Sequence, residues 1–104
     1  MKIEELTKTN FKLFTHTGLV FIDFYADWCM PCNIMKPIYS KLSEEFNGKI
    51  KFTKVDVDKN QLLAQNLGIV SLPTFLLLKD GETIKQYYGI HSFDDFKNAL
   101  SKDL

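Results

Sequence analysis

Apolar positions along the chain fall into runs with two different periods. Leu19-Val20-Phe21-Ile22-Asp23-Phe24-Tyr25-Ala26 is continuous, β-branched and aromatic, the profile of a strand buried on both faces of a mostly parallel sheet. Ile50 to Val57 alternates with period two, as a strand does. Thr74 to Lys79 and Glu82 to Tyr88 are two more strand-like runs, joined by Asp80-Gly81 as a two-residue hairpin turn. Ile3 to Leu6 is a short fifth candidate.

Helical spacing fills the intervals. Ile34, Ile38 and Leu42, with Met35, Tyr39 and Phe46, form an apolar stripe on a helix that begins near Cys29. Pro31 is tolerated in its first turn, whereas Pro37 removes an internal hydrogen bond, and Asn47-Gly48 stops it. Thr7 to Asn10 opens a helix running to about His16, with Leu6, Phe11 and Phe14 on its buried side and Gly18 at its end. Asp58-Lys59-Asn60-Gln61 reads as an N-cap with a reciprocating Gln at N3. Leu62, Leu63, Asn66 and Leu67 then make a short helix closed by Gly68, and Ser92 caps a last helix carrying Phe93, Phe96, Ala99 and Leu100. The order βαβαβαββα predicts an α/β fold, a βαβ half followed by a hairpin, with helices covering one mixed sheet.

Composition narrows the function classes. The 104 residues match the commonest domain size, so one domain spanning 1–104 is expected. Thirteen basic residues balance thirteen acidic ones, which argues against nucleic acid or an anionic membrane as partner. No apolar run is long enough to span a bilayer, and Met1-Lys2-Ile3-Glu4-Glu5 has no signal-peptide character. A cytoplasmic location, where thiols are held reduced, is the expectation.

The only two cysteines, Cys29 and Cys32, stand at C-x-x-C spacing beside the only tryptophan, Trp28, at a strand-to-helix junction. Residues three apart on a helix face each other, so the pair can approach disulfide geometry. Closing so small a loop contributes about 2 kcal/mol, against nearly 5 for a loop of about 100 residues, so the bridge suits exchange better than stapling. Position makes the sulfurs unequal. Cys29 at the helix N-terminus is expected to be an exposed, low-pKa thiolate. Cys32, a turn further in and beneath Trp28 and Pro31, is expected to stay protonated. Asp23, a carboxylate in a central strand, is the candidate base for Cys32, and Lys54 on the neighbouring strand the candidate tuner of its charge. A structural disulfide, inert thiols and a zinc site are the rival readings. The zinc site would need further ligands, and His16 and His91, the remaining histidines, lie far apart in sequence.

With these residues the chain resembles the thioredoxin family over essentially its whole length. Asp23 to Cys32 is similar to the family's active-site motif, Pro37 to its kink proline, Lys54 to Asp58 to its lysine-bearing strand end, Leu72-Pro73-Thr74 to its cis-proline loop, and Gly89 to the glycine beside its substrate groove. The resemblance implies a protein-disulfide reductase with Cys29 as nucleophile, Cys32 as resolving thiol and Asp23 assisting its deprotonation. It implies strand-addition docking at the backbone of Leu72. Trp28, Met30, Pro31, Val57, Val70, Leu72, Pro73, Gly89 and Ile90 would form the substrate-binding face. It implies no bound cofactor beyond the redox-active Cys29–Cys32 disulfide. The implied partners are disulfide-containing target proteins and an NADPH-fed thioredoxin reductase, and the implied state is a monomer. Four departures stand out: Met30 where Gly is commonest, Asn33 where Lys or Arg usually follows, Tyr25 for a frequent Trp, and Val70-Ser71 for a frequent Arg-Gly. They leave open an oxidase or isomerase of the same fold, and a binding module that docks through the apolar groove without redox turnover.

Overall fold

The computed structural model of the chain describes residues 3–104. Met1 and Lys2, on which part of the N-terminal reading rests, lie outside the described residues. The elements are β1 (Glu4–Glu5), α1 (Phe11–Thr15), β2 (Leu19–Tyr25), α2 (Met30–Glu45), β3 (Lys51–Asp56), α3 (Gln61–Asn66), β4 (Thr74–Lys79), β5 (Glu82–Tyr88) and α4 (Phe93–Ser101). This is the order the periodicities predict. The strands form one five-stranded sheet in the order β1-β3-β2-β4-β5. β3 runs parallel to β1 and β2, while β4 runs antiparallel to β2 and β5. The sheet is therefore mixed, with β2 at its centre. The hairpin turn sits at Asp80 and Gly81, both at positive φ (51° and 89°), as a two-residue turn of this hand requires.

Side chains alternate across the strands, so β2 feeds two cores. Phe21 joins Met35, Tyr39, Leu42, Phe52, Phe75, Phe96 and Leu100 on the face covered by α2 and α4. Val20, Ile22 and Phe24 join Leu6, Val55, Leu76 and Leu78 on the other face, against Phe11 and Phe14 of α1 and Leu63 of α3. Phe21 is the hub of the first core: its ring centroid lies 5.5–6.0 Å from those of Tyr39, Phe52, Phe75, Tyr87 and Phe96.

Three local expectations are corrected. β3 does not alternate buried with exposed: Phe52, Thr53, Val55 and Asp56 are all buried, because helices cover both faces of this inner strand. Thr53 is accommodated by donating its hydroxyl to the Phe21 carbonyl at 3.0 Å. On α2, Ile34 is exposed rather than buried; the stripe facing the sheet runs through Cys32, Met35, Tyr39 and Leu42. Asp58 and Gln61 do not form a capping box, since Asn60 is the α3 N-cap and makes no side-chain cap bond. The Asp56 carboxylate closes that turn instead, accepting from the Asp58 N–H at 3.0 Å and the Lys59 N–H at 3.4 Å.

Truncating the hub tests the packing argument. Phe21→Ala is expected to lower the unfolding free energy by about 3–5 kcal/mol in urea titration. A loss below about 1 kcal/mol would show that the surrounding rings do not depend on it.

Candidate functional site

The chain leaves β2 at Tyr25 and re-enters regular structure at Met30, with Cys29 as the α2 N-cap in extended conformation (φ −84°, ψ 111°). Pro31 follows in the first turn, where its missing N–H is no loss. Cys29 and Cys32 form a disulfide across that turn, with Cα atoms 5.2 Å apart. The Cys32 N–H donates to Cys29 Sγ at 3.2 Å. A backbone donor aimed at this sulfur, together with the helix N-terminus, favours its anionic form once the bridge is reduced. The expected contrast in exposure is small: Cys29 is 4% exposed and Cys32 1%. Tyr25, Val57 and Leu72 pack against the buried cluster that Ala26 forms with the two cysteines.

Behind the disulfide lies a cavity of about 240 Å³. Its wall includes Cys32, Asp23, Lys54, Lys36 and Tyr39, so the structure brings the candidate base, its candidate tuner and the candidate resolving cysteine to one space. Asp23 is buried, and its Oδ1 has no hydrogen-bond partner among the described residues. Burial pushes the Asp23 carboxyl from 3.8 up to about 7, with Lys54 and Lys36 pulling down and Glu5 pushing up. Desolvation of the charged form dominates, as expected for a carboxylate inside a sheet. Lys54 is half-exposed, with its ammonium 3.8 Å from Glu5 Oε1. Burial likewise raises the Tyr39 phenol well above its ordinary value, so its hydroxyl stays neutral beneath the sheet.

The remaining expected residues gather at one end of the sheet. Phe24 pairs with Thr74, and Thr74 with Tyr88, while β3 ends beside Tyr25. The segments leaving β2, β3 and β5 and the one entering β4 therefore meet there, carrying Trp28 and Met30, Val57, Gly89 and Ile90, and Leu72 and Pro73. The Leu72–Pro73 bond is cis, and the Gly89 N–H donates to the Pro73 carbonyl at 2.9 Å. Trp28, Met30, Val70 and Ile90 are exposed, with Trp28 at 72%. The indole N–H donates to Asp58 Oδ2 at 2.8 Å, which fixes the ring.

Sequence reasoning missed Glu5, Lys36 and Asp58 as members of this region. Asp58 carried a capping signal that pointed elsewhere. Lys36 lies four residues beyond Cys32 on α2, a spacing that could have placed it on the same face. Glu5 needed the β1–β3 register, which no local pattern supplies. Among the described residues no group of three or more His, Cys, Asp or Glu side chains is arranged to hold a metal ion, and no helix is long and apolar enough to cross a membrane.

Comparison with known proteins adds an independent line. The family model described as Thioredoxin matches residues 2–102. The thioredoxin of Bacillus subtilis (strain 168) is 38% identical over 104 residues, covering 100% of both chains. The thioredoxin of Listeria monocytogenes serovar 1/2a is 34% identical over 100 residues, covering 96% of this chain and 97% of its own. That of Staphylococcus haemolyticus is 33% identical over 104 residues, again covering 100% of each.

The burial of Asp23 sets a pH dependence of stability. The folded carboxyl holds its proton more tightly than the unfolded one, which titrates near 3.8. Below that pH both states are protonated, and the favourable contribution is fully present. It is lost as pH rises towards and through about 7, where the folded protein must carry a buried anion. The loss amounts to about 4 kcal/mol at full ionisation. Asp23→Asn is therefore expected to be more stable than the parent above pH 7 by up to that amount, with the gap closing towards pH 4. Urea titrations giving the same gap at both ends of the range would show that this carboxyl titrates normally.

Proposed function

This chain belongs to the thioredoxin family, whose members are protein-disulfide oxidoreductases, and on that premise we propose that it is a cytoplasmic, monomeric reductase of protein disulfides. Its Cys29–Cys32 pair supports dithiol–disulfide exchange. The observation that carries the reading is the pairing of two environments: a backbone N–H aimed at Cys29 Sγ, and a cavity shared by Cys32 and Asp23.

The reaction starts from the reduced pair. The Cys29 thiolate attacks one sulfur of a target disulfide, the target's S–S bond breaks, and the second target sulfur leaves as a thiolate that takes a proton from solvent. Asp23 accepts the proton of Cys32 through the cavity. The Cys32 thiolate attacks Cys29 Sγ, the Cys29–Cys32 bond forms, and the first target sulfur leaves as a second thiolate that is protonated in turn. Two electrons have passed from the dithiol to the target. Lys54 adjusts how readily Asp23 ionises.

Docking precedes exchange. Leu72 makes no backbone hydrogen bond within the described residues, which supports its pairing with an extended target segment beside Pro73. Trp28, Met30, Pro31, Val57, Val70, Gly89 and Ile90 supply the apolar contact surface around it. An NADPH-dependent thioredoxin reductase returns the disulfide to the dithiol, and no cofactor is bound by the chain itself.

Two measurements test the reading. With NADPH, a thioredoxin reductase and a disulfide-containing protein supplied, Cys29→Ser is expected to abolish turnover; undiminished NADPH oxidation would sink the nucleophile assignment. In rapid-mixing kinetics at pH 7, Asp23→Asn is expected to slow resolution of the mixed disulfide by about 100-fold while leaving its formation nearly unchanged. Equal slowing of both steps would remove Asp23 from the base role.

A further inference from the structure

One cross-strand row carries ionisable side chains from the edge of the sheet to its centre. Glu5 on β1 is in register with Lys54 on β3, and Lys54 is in register with Asp23 on β2. Residues in register share a face of a sheet, so the three lie side by side on the face covered by α2. Tyr25, two residues beyond Asp23, shares that face. Its hydroxyl donates to Glu5 Oε1 at 2.9 Å. The Lys54 ammonium stands 3.8 Å from the same oxygen and 5.7 Å from the centre of the Tyr25 ring. Lys54 makes no ion pair with Asp23.

Lys54 thus has a carboxylate on either side and pairs with the outer one. Glu5 is half-exposed, whereas Asp23 is buried and loses much of its hydration when charged. Of the other groups that face Asp23, Lys36 also favours its anion, from the α2 side of the cavity. Lys36 and Asp27 lie on the cavity wall with opposite charges. Tyr39 places its hydroxyl 2.9 Å from the Phe21 carbonyl and 2.6 Å from that of Thr53, so it is engaged elsewhere. Cys32 is the proton donor. How much of the Lys54 charge Asp23 feels depends on where the ammonium is held.

We propose that Glu5, fixed by the Tyr25 hydroxyl, is a positioning residue for the resolving step: it holds the Lys54 ammonium at the sheet edge and thereby sets how readily Asp23 accepts the Cys32 proton. The inference rests on Asp23 acting as the base for Cys32. Glu5 touches no reacting atom; its effect passes through Lys54. Removing its charge lets the ammonium swing inwards, where it stabilises the Asp23 anion. Asp23 is then ionised at lower pH, and the resolving step, in which Cys32 loses its proton and attacks Cys29 of the mixed disulfide, becomes faster in mildly acidic solution. Attack by Cys29 on the target does not change.

Glu5→Gln removes the charge and keeps an oxygen to accept from Tyr25. The test reads two quantities in the reduced protein: the pH profile of mixed-disulfide resolution, and the titration of the Asp23 side-chain carboxyl followed by carbon NMR. Both midpoints are expected to fall by about half a pH unit or more in Glu5→Gln. The fall is expected to shrink in a Lys54→Met background, because the route through Lys54 is gone. Unmoved midpoints would overturn the proposal. So would an equal fall in both backgrounds, which would mean that Glu5 acts only by its own charge. Failure of the base reading looks different: Asp23→Asn would keep the parental resolution profile, while the NMR titration still reported whether Glu5 governs the carboxyl.

Discussion

A carboxylate in the middle of a five-stranded sheet is the constraint on which the active region depends. Asp23 sits in the central strand with Lys54 on one side and Phe75 on the other, and one of its oxygens has no hydrogen-bond partner among the described residues. Burial there opposes folding at neutral pH, yet it gives the group its chemical use. An unperturbed thiol titrates near 8.5, so handing its proton to a carboxylate that titrates near 4 is uphill by about 6 kcal/mol. With the Asp23 carboxyl raised to about 7, the same transfer is uphill by only about 2 kcal/mol. In the proposed mechanism, the destabilised carboxylate is the competent base.

The surrounding fold meets this constraint on both flanks. The row through Asp23 is ionic towards β1, at Lys54 and Glu5, and aromatic towards β5, at Phe75 and Tyr87. The aromatic half belongs to the Phe21 core and keeps water out. The ionic half places a lysine and a second carboxylate beside Asp23. The same sheet end brings the cis Leu72–Pro73 bond, Val57 and Gly89 around the disulfide, so its exposed apolar side chains sit on segments whose bases are fixed by strand pairing. The Trp28–Asp58 hydrogen bond adds a side-chain anchor where the backbone is irregular.

Much of this was legible in the chain, because the informative residues are close together in sequence. Asp23, Cys29 and Cys32 span one strand end and one helix start, and both periods are plain on either side of them. What was not legible required the partner of a strand or the path of a helix. The edge strand β1 is two residues long, and nothing local says that Glu5 pairs with Lys54. β3 alternates in its residues but is buried on both faces, which depends on its having neighbours on each side. Cys29 reads as exposed from its place at a helix start, yet it is buried in a cluster against which Val57 and Leu72, remote in sequence, pack. Ile34 fits an apolar stripe by spacing, but that stripe is set by where α2 meets the sheet, and Ile34 falls outside it.

The departures at the reacting centre separate the two halves of the exchange. Where relatives usually carry a cation after the second cysteine, this chain has Asn33, whose amide donates to the Asp27 carbonyl at 3.2 Å and braces the turn that presents Cys29. Electrostatic support for the Cys29 sulfur therefore comes from the backbone: the Cys32 N–H and the dipole of the helix that starts at Met30. The nearest cation on α2 is Lys36, one turn deeper, and it lines the cavity of Asp23 and Cys32. It joins Lys54 in lowering the cost of an ionised Asp23. In the proposed mechanism, attack is supported by peptide dipoles that pH does not alter, and resolution by side-chain charges that can be changed one at a time. On that mechanism, substitutions at Lys36, Lys54 or Glu5 would act on the second half-reaction and leave the first to the geometry of the helix.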